Sequence, residues 1–194
     1  MLGIFLDTET NGLNPFKHQV LEIALAIIDV ETGMLRETFA SVVQQPKGAW
    51  DKSDPDSLKV NGFTWEEVQK GRPLQDVSKD IEDAFQRCGI RRGEAAFICQ
   101  NPSFDRAFFS QLFPTEKQEA LKWPYHWLDL ASMYWCYSIR RKDPQMMPWH
   151  TGYSKDKIAA VFALPPESQP HRAMNGVEHL LLCYQAVVGF PRTL

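Results

Sequence analysis

The chain has 194 residues, of which 44% are hydrophobic and 23% are charged, and its formal net charge at pH 7 is −3. This composition predicts one globular α/β domain over residues 1–194, long enough to bury a substantial core. The negative net charge argues against tight, nonspecific binding of duplex nucleic acid through a large basic surface, although it does not exclude local contact with a strand.

The sequence also argues against a membrane-spanning protein and against a protein stabilised by disulfides. It contains no apolar run near the roughly 18 residues of a membrane span, and its first residues lack the basic-then-apolar pattern of a signal peptide. We therefore expect a soluble, cytoplasmic protein with no membrane partner. The cysteines are widely spaced and form no CxxC pair, so we expect reduced core residues. They are Cys88, Cys99, Cys136 and Cys183.

The first third of the chain predicts three β-strands in a meander. Residues 2–8, 20–30 and 36–44 are rich in isoleucine, valine, leucine and phenylalanine, which are typical of strands. The segment ETGM between the last two strands contains Gly33 and predicts a hairpin turn.

Helical patterns begin in the second third. Thr64 followed by Glu66 and Glu67 is typical of a helix N-terminus, and residues 74–88 place apolar side chains at helical intervals. The short apolar run at 95–99 then predicts a fourth strand.

The remaining elements alternate between helix and strand. Asp105 stands at the opening of a predicted helix, and a short strand at 125–127 precedes a helix that Asp129 could cap. The last two helices are predicted within 153–164 and 176–188, on either side of a proline-bearing loop. Antiparallel strands followed by alternating helices and strands predict a mixed sheet with helices packed on it.

Two acidic residues, Asp7 and Glu9, end the first predicted strand and project from the same face, because they are two positions apart. Their mutual repulsion is tolerable at a solvated strand end, or it could be removed by a divalent cation that acts as a Lewis acid on phosphate. Asp105 and His171 would supply a further ligand and a base. Each also has a simpler interpretation, as an N-cap and as a solvated loop residue.

Three segments carry a specific resemblance: FLDTETNGL with VLEIA after it, then NPSFDRAFF, then HRA. Their order and spacing resemble the DnaQ-like, DEDDh-type 3′→5′ exonucleases of the ribonuclease H-like fold over nearly the whole chain. The resemblance implies a five-stranded mixed β-sheet flanked by α-helices. It also implies release of nucleoside 5′-monophosphates from the 3′ ends of single-stranded DNA or RNA, in roles such as proofreading and DNA repair. A polymerase or another protein is a further implied partner, and the oligomeric state stays open.

The resemblance further implies two Mg²⁺ or Mn²⁺ ions. By this resemblance Asp7 bridges the two ions, Glu9 ligates the ion that carries the attacking water, and Asp105 completes the environment of the other ion through water. His171 would be the general base, a role that suits imidazole because it can accept a proton from water near neutral pH. Two ions about 4 Å apart can stabilise the attacking and leaving oxygens of an in-line displacement.

The residues that follow the first motif are implied to hold the terminal nucleotide. The backbone of Thr10 would meet the 3′ hydroxyl, and Leu13 would wedge against the terminal bases. Phe104 and Phe108 are candidates for stacking on bases, although the helical recurrence of Phe108 favours core packing. The lysines within 153–157 would either meet phosphates or form a solvated helical face.

One position departs from the family pattern His-x-Ala-x-x-Asp, because Gly176 stands where the final Asp is expected. Asn175 and Glu178 lie about 100° and 200° around the helix from Gly176, so neither is expected to replace that Asp without a late helix start or a bulge. The chain could then be a weak or inactive relative, an enzyme with a rearranged ligand set, or a protein altered to trap an inactive state.

The departure leaves three functional alternatives. They are a weakened exonuclease, a catalytically inactive module that binds 3′ ends or a protein, and a hydrolase of short RNA similar to oligoribonuclease. For the first, we expect that Gly176→Asp restores activity.

Overall fold

A five-stranded β-sheet forms the centre of the structure, a computed structural model that describes residues 1–191. Its strands are β1 (Leu2–Thr10), β2 (Val20–Asp29), β3 (Met34–Val42), β4 (Ala95–Cys99) and β5 (Trp127–Asp129). They lie side by side in the order β3-β2-β1-β4-β5. The first three strands are antiparallel, and β4 and β5 run parallel to β1. The predicted five-stranded mixed sheet is confirmed, and the predicted domain includes residues 192–194, which lie outside the described residues.

Helices connect and cover these strands. Those before β5 are α1 (Lys47–Trp50), α2 (Pro55–Asn61), α3 (Trp65–Gln69), α4 (Leu74–Cys88), α5 (Pro102–Leu112) and α6 (Thr115–Ala120). Those after β5 are α7 (Leu130–Arg141), α8 (Pro148–Thr151), α9 (Lys155–Val161) and α10 (Ala173–Val187), with a 3-10 turn at Pro144–Met146. No helix within residues 1–191 is long and apolar enough to cross a membrane.

Two of the predicted helix caps are formed. Thr64 and Glu67 make a reciprocal capping box at the start of α3, and the Asp129 side chain accepts hydrogen bonds from two backbone amides of α7. Each cap satisfies N–H groups that have no partner within the helix. The local sequence therefore determines where α3 and α7 begin.

Helices pack on both faces of the sheet and create two separate apolar cores. Ile4 and Leu6 belong to the core shared with α4 and α5, whereas Phe5 belongs to the core shared with α7, α9 and α10. Because side chains alternate along a strand, Asp7 and Glu9 share the face of Phe5. The two carboxylates consequently face α10.

The helix α10 begins at Ala173, three residues before the predicted start. A long-range contact explains the difference, because Glu22 accepts a hydrogen bond of 2.8 Å from the Ala173 amide. This bond satisfies one of the free N–H groups of the helix terminus. Gly176 therefore lies inside the first turn of α10, next to the end of β1.

The cysteines are free, as predicted, but they are not all core residues. Cys99 and Cys183 are buried, and Cys88 is half-buried. Cys136 is exposed, because it lies on the outer side of α7. The prediction of a core position is wrong for Cys136.

Candidate active site

Asp7 and Glu9 stand at the end of β1 in an acidic environment, since Glu22 lies directly opposite Glu9 on β2. Burial raises the pKa of Asp7, while the Lys155 ammonium and, more weakly, His171 oppose that rise. Burial, and then the nearby Asp7 charge, raise the pKa of Glu9 to about 8. Neither carboxylate is a freely solvated group at a strand end, so the site needs a positive charge nearby.

Lys155, the first residue of α9, supplies that charge. Its Nζ lies 3.1 Å from Asp7 Oδ1 and 3.0 Å from Glu167 Oε2, and its side chain is only 14% exposed. Burial by itself would lower the pKa of Lys155, but the Asp7 and Glu167 carboxylates raise it above its ordinary value. The ammonium stays charged. The interpretation of the 153–157 lysines as a solvated face holds for the exposed Lys157 and is wrong for Lys155.

Gly176 brings the backbone of α10 against Asp7. A Cβ atom at position 176 would lie 2.3 Å from Asp7 Oδ2 and 2.5 Å from Asp7 Cγ, far inside van der Waals contact. The Gly176 carbonyl also accepts a hydrogen bond of 3.4 Å from Lys155 Nζ. An aspartate at position 176 would therefore collide with Asp7, so the expectation that Gly176→Asp by itself restores activity is withdrawn.

The two neighbours considered as replacement ligands lie elsewhere. Glu178 is exposed on the outer side of α10, as a rotation of about 200° from Gly176 requires. Asn175 is half-buried, one position before Gly176. A ligand set rearranged through Glu178 is excluded by this placement.

His171 lies in the loop before α10 and is held by Glu167. Its Nδ1 is 2.9 Å from Glu167 Oε1, and its Nε2 is 2.7 Å from the side-chain nitrogen of Gln169. The Glu167 side chain is 2% exposed and also lies 3.6 Å from His179 Nδ1. Glu167 thus joins Lys155 and His171 through one buried carboxylate.

Asp105 lies in the first turn of α5, whose N-cap is Asn101, so the N-cap interpretation of Asp105 is wrong. Its side chain is buried on the other side of β1. Its Oδ1 accepts a hydrogen bond of 2.9 Å from the Thr8 hydroxyl, and Thr8 points away from the face of Asp7 and Glu9. Burial, and then the charge of Asp7, raise the pKa of Asp105 well above its ordinary range. Asp105 therefore interacts electrostatically with Asp7, but its hydrogen bond directs it to Thr8.

A small cleft of about 150 Å³ opens beside Glu9. Its walls include Thr10, Leu13, Val60 and Phe104. The Leu13 side chain is 71% exposed and projects at the rim. Three of the four residues predicted to hold a nucleotide thus share one cleft.

The cleft is connected to the rest of the site by backbone contacts. The Thr10 carbonyl accepts a hydrogen bond of 2.9 Å from the Asn61 side chain, which ties β1 to α2. The His171 amide donates to the Val60 carbonyl at 3.3 Å. These contacts fix His171 relative to the cleft wall.

Phe108 does not belong to this cleft. It is 0% exposed and packs in the core under α5, where its ring lies 4.8 Å from that of Phe104. Its proposed stacking on a base is corrected, because the side chain presents no surface to a ligand. The core packing of Phe108 that its helical spacing predicted is confirmed.

A larger cavity, of about 820 Å³, lies at the opposite end of β1, next to Leu2. Two ion pairs form part of its lining, Arg36 with Asp29 and Arg87 with Glu37. The charges within these two pairs neutralise each other. We assign the functional site by its chemistry, at the other end of the strand.

The sequence analysis missed Lys155 and Glu167. Lys155 lies three residues before Ile158 and four before Ala159, both buried, so it belongs to the apolar side of α9. A single lysine on an apolar helix face is a detectable signal for a buried ion pair. Glu167 lies in a loop without periodicity, and the local sequence contains no comparable signal for it.

Comparison with known proteins agrees with the fold. The exonuclease family described as RNase T matches residues 4–181. The chain belongs to this exonuclease family, and its structural relatives include members of the DEDDh group.

Individual relatives are distant in sequence. Ribonuclease T of Actinobacillus pleuropneumoniae is 28% identical over 133 residues, which cover 64% of this chain and 58% of that protein. Oligoribonuclease of Photobacterium profundum is 26% identical over 155 residues, covering 78% and 81% of the two chains. A PolC-type DNA polymerase III of Mycoplasmopsis pulmonis is 27% identical over 110 residues, which are 57% of this chain and only 7% of that enzyme.

Solved structures share the fold. Escherichia coli exonuclease I in complex with a dT13 oligonucleotide has a TM-score of 0.77 at 18% identity, over 97% of this chain and 41% of that one. The nuclease domain of 3′hExo, a DEDDh family member bound to rAMP, has a TM-score of 0.70 at 13% identity, over 98% and 94%. The cell-death related nuclease CRN-4 has a TM-score of 0.72 at 15% identity, over 96% and 63%.

DEDDh exonucleases generally use divalent metal ions, but the side chains here do not fit a site for two of them. Within residues 1–191, no group of three or more histidine, cysteine, aspartate or glutamate residues could hold a metal ion. Asp7 is paired with an ammonium, Asp105 is bonded to Thr8, and Gly176 offers no side chain. The predicted two-ion arrangement is not formed by these residues.

Proposed function

We propose that this protein binds the 3′ end of single-stranded nucleic acid and hydrolyses its terminal phosphodiester slowly, releasing a nucleoside 5′-monophosphate. One observation carries this proposal: the cleft formed by Thr10, Leu13 and Phe104 opens directly on Glu9, beside Asp7 and His171. Exonuclease I and 3′hExo, which share the fold, bind an oligonucleotide and a nucleotide. The relatives named ribonuclease T and oligoribonuclease support RNA as well as DNA as the substrate class.

His171 is placed to act as the general base. The amide nitrogen of Gln169 can only donate, so His171 Nε2 accepts, and His171 Nδ1 carries the proton that it donates to Glu167. This is the neutral tautomer, whose Nε2 lone pair can take a proton from an attacking water once Gln169 gives way. Glu167 stabilises the charged ring that results.

The missing carboxylate at position 176 makes slow chemistry the expected behaviour. Losing one group that organises the transition-state charge costs about 3 to 4 kcal/mol, or roughly a hundredfold to a thousandfold in rate. Binding of the 3′ end depends on the cleft rather than on Gly176. We therefore expect weak turnover with substantial affinity.

The cleft can be tested by binding. Fluorescence anisotropy should show tighter binding of a single-stranded oligonucleotide with a free 3′ hydroxyl than of the same strand with a 3′ phosphate. Leu13→Ala should weaken binding about tenfold, because fully burying a leucine side chain contributes about 1.5–3 kcal/mol and a contact at the rim buries only part of it. Leu35→Ala, an exposed leucine on β3, is the matched control and should bind as the parent does. Equal binding of both strand ends, with no effect of Leu13→Ala, would contradict the proposal.

A second candidate function is a binding module without catalysis. The ion pair between Lys155 and Asp7 favours it, because Asp7 is already neutralised. This candidate predicts binding of 3′ ends with no shortening of DNA or RNA. A polymerase partner, a proofreading or repair role and a cytoplasmic location stay predictions.

A further inference from the structure

The position of Lys155 has a consequence for the cations that the site can accept. This inference rests on the proposed function only in taking Asp7 and Glu9 as the reacting end of the cleft. Lys155 approaches Asp7 from α9, and Gly176 approaches it from α10. The two elements together enclose the Asp7 carboxylate.

Gly176 and Lys155 are sterically linked. An aspartate side chain at position 176 would need the space of the Asp7 carboxylate, where a Cβ atom would already lie within 2.3 Å of Oδ2. Without a side chain there, α10 comes close enough for its Gly176 carbonyl to accept from Lys155 Nζ. Position 176, which has no anionic side chain, therefore lies next to the Lys155 ammonium.

Lys155 is also fixed from its other side. Glu167 binds its ammonium at 3.0 Å, and the side chain of this glutamate is almost fully buried. Asp7, Glu167 and the Gly176 carbonyl can accept all three protons of the ammonium. Breaking this arrangement would leave buried charges without partners, which is costly.

We propose that the Lys155 ammonium is a built-in cation of this site, which neutralises Asp7 permanently and replaces one of the divalent ions that the carboxylates would otherwise bind. The site should then accept at most one divalent ion. The remaining pair for that ion would be Glu9 together with the free oxygen of Asp7.

Calorimetric titration with Mn²⁺ tests the proposal on the 194-residue chain after EDTA treatment. We expect the parent to bind at most one Mn²⁺ and Lys155→Met to bind it at least tenfold more tightly, or to bind a second ion. Lys155→Arg should behave as the parent, because it keeps the charge. Lys157→Met, an exposed lysine two residues further along α9, is the matched control and should change nothing.

Lys155→Met leaves the buried Glu167 without one of its partners and could therefore misfold. A second variant keeps the test decisive in that case. Lys155→Met/Glu167→Gln removes both charges, and circular dichroism shows which variants are folded. Tight binding of two Mn²⁺ ions by the parent would overturn the proposal. Unchanged Mn²⁺ binding in the folded charge-removing variants would also overturn it. Mn²⁺ binding is measured without an oligonucleotide, so its result is independent of the proposed function. Either proposal can therefore fail while the other stands.

Discussion

Gly176 determines how closely α10 approaches the end of β1. Its lack of a side chain is a packing requirement here, because the space that a Cβ atom would occupy is filled by the Asp7 carboxylate. Asp7 cannot easily move aside, since it is bound by the buried Lys155. Gly176 is therefore well matched to its surroundings.

Gly176→Ala tests this packing. Alanine gains about 1 kcal/mol of helix propensity over glycine, but overpacking costs about 1–3 kcal/mol, and the ion pair between Asp7 and Lys155 is disturbed as well. We expect a net loss of about 1–2 kcal/mol in the free energy of unfolding, measured with urea. Gly48→Ala, where a Cβ atom meets nothing within 4 Å, is the control and should not destabilise. If Gly176→Ala were more stable than the parent, α10 would not be tightly packed against the Asp7 carboxylate.

At the scale of elements, the end of β1 collects more negative charge than its surroundings neutralise. The pKa of Glu9 is raised to about 8 in the folded state by burial and by Asp7, against about 4.5 in the unfolded chain. The folded state consequently holds a proton that the unfolded state releases between these two pH values. Stability should fall as the pH rises from about 4.5 to 8 and should level off above that.

Glu9→Gln should remove this fall. In EDTA, the variant and the parent should have similar free energies of unfolding near pH 5, and the variant should be more stable at pH 9 by about 2 to 4 kcal/mol. Urea denaturation at several pH values provides the measurement. Glu178→Gln, which changes an exposed carboxylate on α10, should follow the parent at every pH. Parallel pH profiles for Glu9→Gln and the parent would contradict this account.

Local sequence predicted the elements better than it predicted their contacts. The caps at Thr64 and Asp129 involve residues close in the sequence, so they could be predicted from it. The start of α10 depends on Glu22, 151 positions away, and no local pattern reveals it. The ion pair of Lys155 with Asp7 spans 148 positions in the same way.

The site shows the same division. The motifs indicated Asp7, Glu9 and His171, and the structure brings them to one end of the sheet. Asp105 belongs to the motifs as well, yet its hydrogen bond to Thr8 follows from the pleat of β1 and was not predicted. The residue types were thus enough to predict the chemistry of the site. The directions of the side chains could be established only from the three-dimensional structure.

Across the whole molecule, the architecture is the exonuclease fold shared with these relatives. The chain aligns with 94% of the 3′hExo nuclease domain and 81% of an oligoribonuclease. The two features that bear most directly on the site are local: Gly176 packed against the Asp7 carboxylate and Lys155 bound to it. These two residues lie where the chemistry would occur, so they should change the rate far more than the fold.

The most direct measurement is the shortening of a 5′-labelled single strand with a free 3′ hydroxyl, in Mn²⁺, by the parent and by His171→Gln. General-base catalysis contributes about a hundredfold to ten-thousandfold. We predict stepwise shortening from the 3′ end by the parent, at least a hundredfold slower in His171→Gln, with the dissociation constant of the strand unchanged. No shortening by the parent, or equal rates for the two proteins, would contradict the assignment of this site as a hydrolytic centre.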